Sequence, residues 1–309
     1  MLALPGEGLK QPVKERHKVD EDLLCDWIEA NVLFDQPSVS GAELVDLLME
    51  QQYYKDQSLA WQLFDILSFK LQQRARALGE GYPLKLTEQL IERRGPWQEF
   101  LPYSFCLALS LARPFADWAA SFGQNFTEQA VLFEQLSECS LALLLPRWSI
   151  YRTGWSATDP TRLKEVVQRL ASAIGAKVGN LDDWAPEHGK DGELDVACVF
   201  EFPDARGSHT VYLTQCASGK NWPSKLHTPR LEMWQKLIDF TVQPARCFTI
   251  PYALSDKEFR TNALTVQGLF LDRLRLLVPG REIRTWVPQE LSAQIERWVR
   301  ERLESLPKG

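Results

Sequence analysis

The sequence predicts an α+β (α/β) protein in two parts: an N-terminal all-helical domain, then a mixed sheet flanked by helices. Three observations predict this. Apolar residues recur at helical spacing through roughly the first 125 positions. The pattern changes after Pro146. Two apolar runs, LDVACVFEF (194–202) and TVYLTQCA (210–217), then flank the turn-rich PDARGSH, which reads as adjacent strands.

Taken in order, Asp20–Phe34 places Leu23, Leu24, Trp27, Ile28 and Val32 on one helical stripe. Ser40 followed by Glu43 has the form of a capping box, with Leu44, Leu47 and Leu48 inward. Asp56–Leu78 is a longer amphipathic helix stopped by Gly79. Leu84–Arg94 fits neither period cleanly. Trp97–Ala112 is apolar nearly all round and reads as a buried helix. Phe126–Leu144 is a helix with Thr127 as its N-cap. Asp159-Pro160 opens another that closes near Gly175, and a polar loop over 180–192 leads to the two strands. Beyond them, Leu231–Phe240 reads as a helix and Ala245–Ala253 as a third strand. Asp256–Leu277 reads as a helix weakened at Gly268, Ile283–Val287 as a short strand, and Glu290–Leu306 as an amphipathic helix. The expected domains are 1–125, helical and suited to partner contact; 126–289, the sheet domain; and 290–309, the terminal helix.

Composition narrows the classes. Hydrophobic residues make up 45% and charged residues 25% of the 309, as in globular proteins. No apolar run approaches the length of a membrane span, and the polar start lacks an apolar signal core, so a cytoplasmic protein without membrane contact is expected. Six scattered cysteines without a C-x-x-C pair argue against structural zinc and for reduced buried thiols. The net charge of −6 is unevenly spread: residues 201–309 hold 16 Lys and Arg against 12 Asp and Glu. If the chain has a surface for nucleic acid, it is expected in the C-terminal third; a solvated surface with chance asymmetry is the alternative.

The chemistry-bearing stretch is DGELDVACVFEFPDARGSHTVYLTQCASGKNW (191–222). It puts Asp195 at the mouth of one strand and Gln215 near the end of the next, with Lys220 shortly after. Two neighbouring strands then bring an acid, an amide and a cation to one sheet edge, an arrangement suited to a divalent metal and a phosphodiester. Glu165, on the preceding helix, is the favoured second carboxylate. Glu134, in VLFEQLSE, is its substitute.

These residues resemble the restriction-endonuclease-like superfamily, the PD-(D/E)XK nucleases, and most closely its Mrr-type branch. That branch has a helical Glu, a strand after a Gly-containing acidic turn, and a strand ending in Q-x-K. This chain offers Glu165 or Glu134, then Asp191-Gly192-Glu193-Leu194-Asp195, then Gln215-Cys216-Ala217. The resemblance covers roughly 126–280. It implies a Mg²⁺- or Mn²⁺-dependent DNA endonuclease of prokaryotic restriction or anti-phage defence. Asp195, Glu165 and Gln215 would be at the metal, and Lys220 at the phosphate. The pattern departs at Ala217, where the family places its lysine. A catalytically degenerate fold that binds DNA or assembles with protein partners is the alternative. Lys225, Arg230 and Lys236 are further backbone-tracking cations, and Trp222 and Trp234 are potential stacking rings or core.

Other chemistries lack their parts. There is no G-x-S-x-G elbow and no Walker A loop, Cys216 has no evident His partner, and His17, His188, His209 and His227 are isolated.

Overall fold

The computed structural model describes residues 1–6, 19–123, 126–153, 163–181, 192–204 and 206–309. The chain divides into two compact units, one of 1–125 with 277–309 and the other of 126–276. Residues 277–309, including the terminal helix, thus group with the N-terminal unit, and the second unit ends at Leu276 rather than near 289.

The first unit holds α1 (Glu21–Ala30), β1 (Ser38–Ser40), α2 (Gly41–Glu50), α3 (Gln57–Leu78), β2 (Leu84–Leu86), β3 (Leu90–Arg93), α4 (Leu101–Leu111) and α5 (Ala116–Ser121). Local chemistry sets several helix ends. Asp20 accepts from Leu23 N and Asp56 from Ser58 N. Ser40 and Glu43 close the expected capping box, Glu43 N donating to Ser40 Oγ and Ser40 N to Glu43. The expectation of an all-helical unit is corrected by an antiparallel three-stranded sheet, ordered β1-β3-β2. Its hairpin is closed by Thr87, whose backbone N and Oγ1 both bond with Leu90. Ile91 of the hairpin is buried opposite Val39.

Charge is also buried here. Arg74 on α3, 2% exposed, bonds Asp26 at 2.7 Å and Glu29 at 2.9 Å on α1. Tyr82 Oη donates to the other Glu29 oxygen at 2.8 Å. Mutual hydrogen bonding offsets the desolvation that an isolated buried carboxylate would suffer.

The second unit holds α6 (Thr127–Leu144), β4 (Ser149–Arg152), α7 (Leu163–Ala173), β5 (Lys177–Val178), β6 (Val196–Phe200), β7 (Thr210–Cys216), α8 (Leu231–Leu237), β8 (Ile238–Asp239), β9 (Ala245–Thr249), α9 (Asp256–Val266), β10 (Leu269–Leu271) and α10 (Arg273–Leu276). The sequence expectation of a mixed sheet with flanking helices agrees with a five-stranded sheet ordered β10-β9-β7-β6-β4. β4, β6 and β7 pair antiparallel; β9 joins β7, and β10 joins β9, in parallel.

Strand alternation separates the two faces. Ala197 and Val199 of β6, with Val211 and Leu213 of β7, form one core with Val166, Val167 and Leu170 of α7 and Trp234 and Leu237 of α8. On the other face α6 meets the sheet, where Ser137 Oγ lies 3.0 Å from Thr249 Oγ1. Two expectations fail in this stretch. The long helix over 256–277 is broken after Val266 by β10, because Gly268 runs against β9: a Cβ there would sit 2.1 Å from Arg246 O, room only a glycine has. The predicted helix 231–240 ends at Leu237, where Ile238–Asp239 pairs with β5.

Residues 277–309 add α11 (Gln289–Leu303). The strand expected at Ile283–Val287 is absent; these residues are bends and coil.

Candidate active site

Asp195 directly precedes β6, and the register Val196↔Thr214 continues so that Asp195 lies opposite Gln215. The placement is fixed by backbone: Asp195 N donates to Thr214 O and Thr153 N to Asp195 O, both at 3.0 Å. Asp195 Oδ2 accepts from Gln215 Nε2 at 2.5 Å and from Cys216 N at 2.6 Å. Asp195 and Gln215 are only 6% and 7% exposed, so these bonds replace water the carboxylate has lost.

The far end of the Gln215 amide meets Thr228 Oγ1, 3.2 Å from Oε1. Gln215 therefore points its N–H groups at the acid. An ionised carboxylate has no hydrogen to give, which selects this orientation of the amide. The Gln215 oxygen, the atom a metal would take, thus faces Thr228, and the amide nitrogen faces Asp195.

The turn that delivers Asp195 is tight. Gly192 and Glu193 both have positive φ, +64° and +60°. The Gly192 carbonyl accepts from Trp234 Nε1 at 3.1 Å, and Glu193 pairs with Arg230 at 3.6 Å. Asp191, the first acid of the sequence motif, lies outside the described residues.

Of the two helical glutamates, Glu134 is the one whose charge acts on Cys216, the residue after Gln215. Burial pushes the Cys216 thiol well above its usual range, and the nearby charges of Asp195 and Glu134 push it the same way. Glu134 lies on α6, half-buried. Glu165 is exposed on α7, whose buried residues are Leu163, Val166, Val167 and Leu170, and it forms no hydrogen bond or ion pair with a described residue. The same raised pKa keeps the Cys216 thiol protonated and removes it as a nucleophile.

Ala217 is 2% exposed and packs with Phe248, Ile250 and Phe270. Lys220 is exposed on the following loop, with no hydrogen bond or ion pair to a described residue. That loop starts from a tethered point: Tyr252 Oη donates to Ser218 O at 3.0 Å, and Gln129 Nε2 reaches Ser218 Oγ at 3.3 Å. Lys225 is half-buried, and His227 and Arg230 are exposed. Trp234 is core, while Trp222 stacks on Tyr252. His209 is 6% exposed, its Nδ1 3.1 Å from Phe200 O, and closes the β6–β7 hairpin rather than facing solvent. Arg273 is fully buried and donates to Pro251 O at 2.7 Å.

Sequence reading missed Thr228, Trp234 as a hydrogen-bond donor, Gln129 and Tyr252. Each acts across the fold rather than along the chain, and only the turn glycine at 192 hinted that a partner must press against it.

Among the described residues no group of three or more His, Cys, Asp or Glu side chains gathers to hold a metal. Magnesium is commonly held by one or two carboxylates and keeps several waters. Asp195 and Glu134 carry hard oxygen donors of the type that ion takes, and the charges of both act on the Cys216 thiol.

No described helix is long and apolar enough to cross a membrane. Comparison with known proteins gives no match: no family model fits the chain, and no curated protein or solved structure matches it.

Proposed function

We propose that this chain is a metal-dependent endonuclease acting on DNA phosphodiesters, of the restriction-endonuclease-like kind its motifs resemble. The observation that carries the reading is Asp195 held opposite Gln215 at 2.5 Å, where two adjacent strands bring an acid and an amide to one sheet edge. Bound Mg²⁺ or Mn²⁺ would neutralise phosphate charge and lower the pKa of an attacking water. Asp195 and Glu134 hold the ion, Gln215 keeps the Asp195 carboxylate aimed, and Lys220 meets the phosphate from the exposed loop. Lys225 and Arg230 extend that cationic edge along the DNA backbone. Restriction or anti-phage defence in a prokaryotic cytoplasm, with a protein partner on the N-terminal unit, is the setting this reading suggests.

The second reading is a catalytically degenerate fold that binds DNA or assembles with partners. Ala217 favours it, since the position of the family lysine is sealed into an apolar cluster.

A nicking assay on supercoiled plasmid, linear duplex and single strands with Mg²⁺ or Mn²⁺ separates them. The first reading expects cutting that Asp195→Ala and Glu134→Gln abolish, and cutting that survives Asp195→Ala sinks it. Salt-sensitive DNA binding without metal and without cutting establishes the second.

A further inference from the structure

One short segment touches both Gln215 and the turn that leads to Asp195. The Thr228 hydroxyl shares its one proton between Lys225 O at 2.7 Å and Gln215 Oε1 at 3.2 Å. Six residues later, Trp234 Nε1 donates to Gly192 O, three residues before Asp195. Arg230, between them, pairs with Glu193 of the same turn.

The segment is itself pinned to the sheet. Arg246 of β9, 8% exposed, donates from Nε to Pro229 O at 3.1 Å and from Nη1 to Val266 O at 3.3 Å. Trp234 is fully buried in the core beneath Gly192. A Gln side chain left alone samples several rotamers and either amide orientation. Here a carboxylate that only accepts faces the NH₂ end and selects the orientation, and the Thr228 hydroxyl holds the Oε1 end in place.

We infer that Thr228 and Trp234 are positioning residues of this site. Thr228 holds the Oε1 end of the Gln215 amide while its NH₂ end meets Asp195, and Trp234 sets the backbone turn that delivers Asp195. The inference rests on the proposed function only in giving the pair catalytic work; the positioning itself is measured independently.

The test uses the full ¹⁵N-labelled chain and the side-chain NH₂ signals of Gln215, assigned by their loss in Gln215→Glu. In Thr228→Val those signals move, and their exchange with water speeds up about fivefold, the share of one neutral hydrogen bond. Thr228→Ser restores them. Trp234→Phe keeps a ring in the core but moves the backbone amide signals of Gly192 to Asp195. On an active enzyme, Thr228→Val lowers kcat and leaves KM unchanged. Gln215 signals in Thr228→Val that match wild type in position and exchange overturn the role of Thr228. Unmoved Gly192–Asp195 amides in Trp234→Phe overturn that of Trp234, and the Thr228 arm stands by itself if that variant does not fold. A wild-type protein that does not cut DNA removes the nuclease reading, and the amide signals still decide the positioning.

Discussion

Asp195 and Gln215 stand across the β6–β7 pair from one another, with the Gln215 amide donating to Asp195 Oδ2 at 2.5 Å. Cys216 N donates to the same oxygen at 2.6 Å. One carboxylate oxygen thus ties the start of one strand to the end of its neighbour, and a single-atom exchange at Gln215 probes the tie.

Gln215→Glu replaces the donor with a second acid. Two ionised carboxylates at that separation cannot both stay charged without cost, so the folded pair retains a proton above the ordinary carboxylate range. A folded pKa above the unfolded value of about 4 means stability that is complete below that pH and lost as pH rises through the folded value. The variant is expected to fall about 1–3 kcal/mol below wild type at pH 7 and to approach it near pH 4. Added Mn²⁺ should recover the loss at pH 7. Urea unfolding at both pH values checks this, and a deficit unchanged between them defeats it.

Ala217 and Lys220 separate two positions that sequence spacing alone leaves confounded. Ala217 packs against Phe248 and Ile250, so Ala217→Lys forces a long charged chain into a filled apolar cluster. A loss of about 2–5 kcal/mol is expected. Lys220→Ala, on an exposed loop, should leave stability within about 0.5 kcal/mol. If Lys220 meets DNA phosphate, that variant lowers the slope of log affinity against log salt by about 0.9. An unchanged slope removes Lys220 from the DNA contact.

What the sequence made legible is local. The Ser40–Glu43 capping box, the stop at Gly79 and the two strands bearing Asp195 and Gln215 all follow from spacing of one to four residues or from alternation. The hairpin Leu84–Arg93 escaped because its strands are three and four residues long, too short to show a period. Spacing along the chain says nothing of which helical glutamate acts on the strand end, and only the fold brings the charge of Glu134 to bear on Cys216. Thr228 was invisible for the same reason: its partner Gln215 is thirteen residues away, and only the return of the chain over the sheet brings them together.

The buried tyrosines predict an alkaline limit. Burial pushes the Tyr54 phenol up to about 12. Burial, then the charge of Glu29, holds Tyr82 well above its ordinary value. Unfolded tyrosine titrates near 10. With the folded pKa raised, the contribution is complete below pH 10 and is lost as pH rises beyond it, through about 12 for Tyr54. Unfolding midpoints should decline over that window, and Tyr54→Phe should flatten the decline. Tyr82→Phe also deletes the bond to Glu29 and should lose about 1–3 kcal/mol at pH 7. A Tyr54→Phe midpoint that falls as steeply as wild type contradicts the account.

Gly192 tests how rigidly the site is delivered. Its φ of +64° is disfavoured for alanine by about 1–2 kcal/mol. A Cβ there would also meet Trp234 Cζ2 at 2.9 Å, Leu163 Cδ1 at 3.0 Å and Met233 Cε at 3.1 Å. Leucine and methionine ends can swing aside. The indole cannot, because it is buried in the core and donates to the carbonyl of this same residue. Gly192→Ala should therefore cost about 2–4 kcal/mol, strain and overpacking together. Gly123→Ala is the control: its φ is +84°, but nothing lies within 4 Å of the added carbon, so only the backbone term remains. The difference between the two variants isolates the pressure of Trp234 on the turn. Because the turn is followed within three residues by Asp195, Gly192→Ala should also loosen the Asp195–Gln215 bond, whereas Gly123→Ala leaves it intact. Equal losses in the two variants, with the Gln215 amide signals undisturbed in both, mean that the indole does not hold the turn and that Asp195 is placed by strand pairing alone.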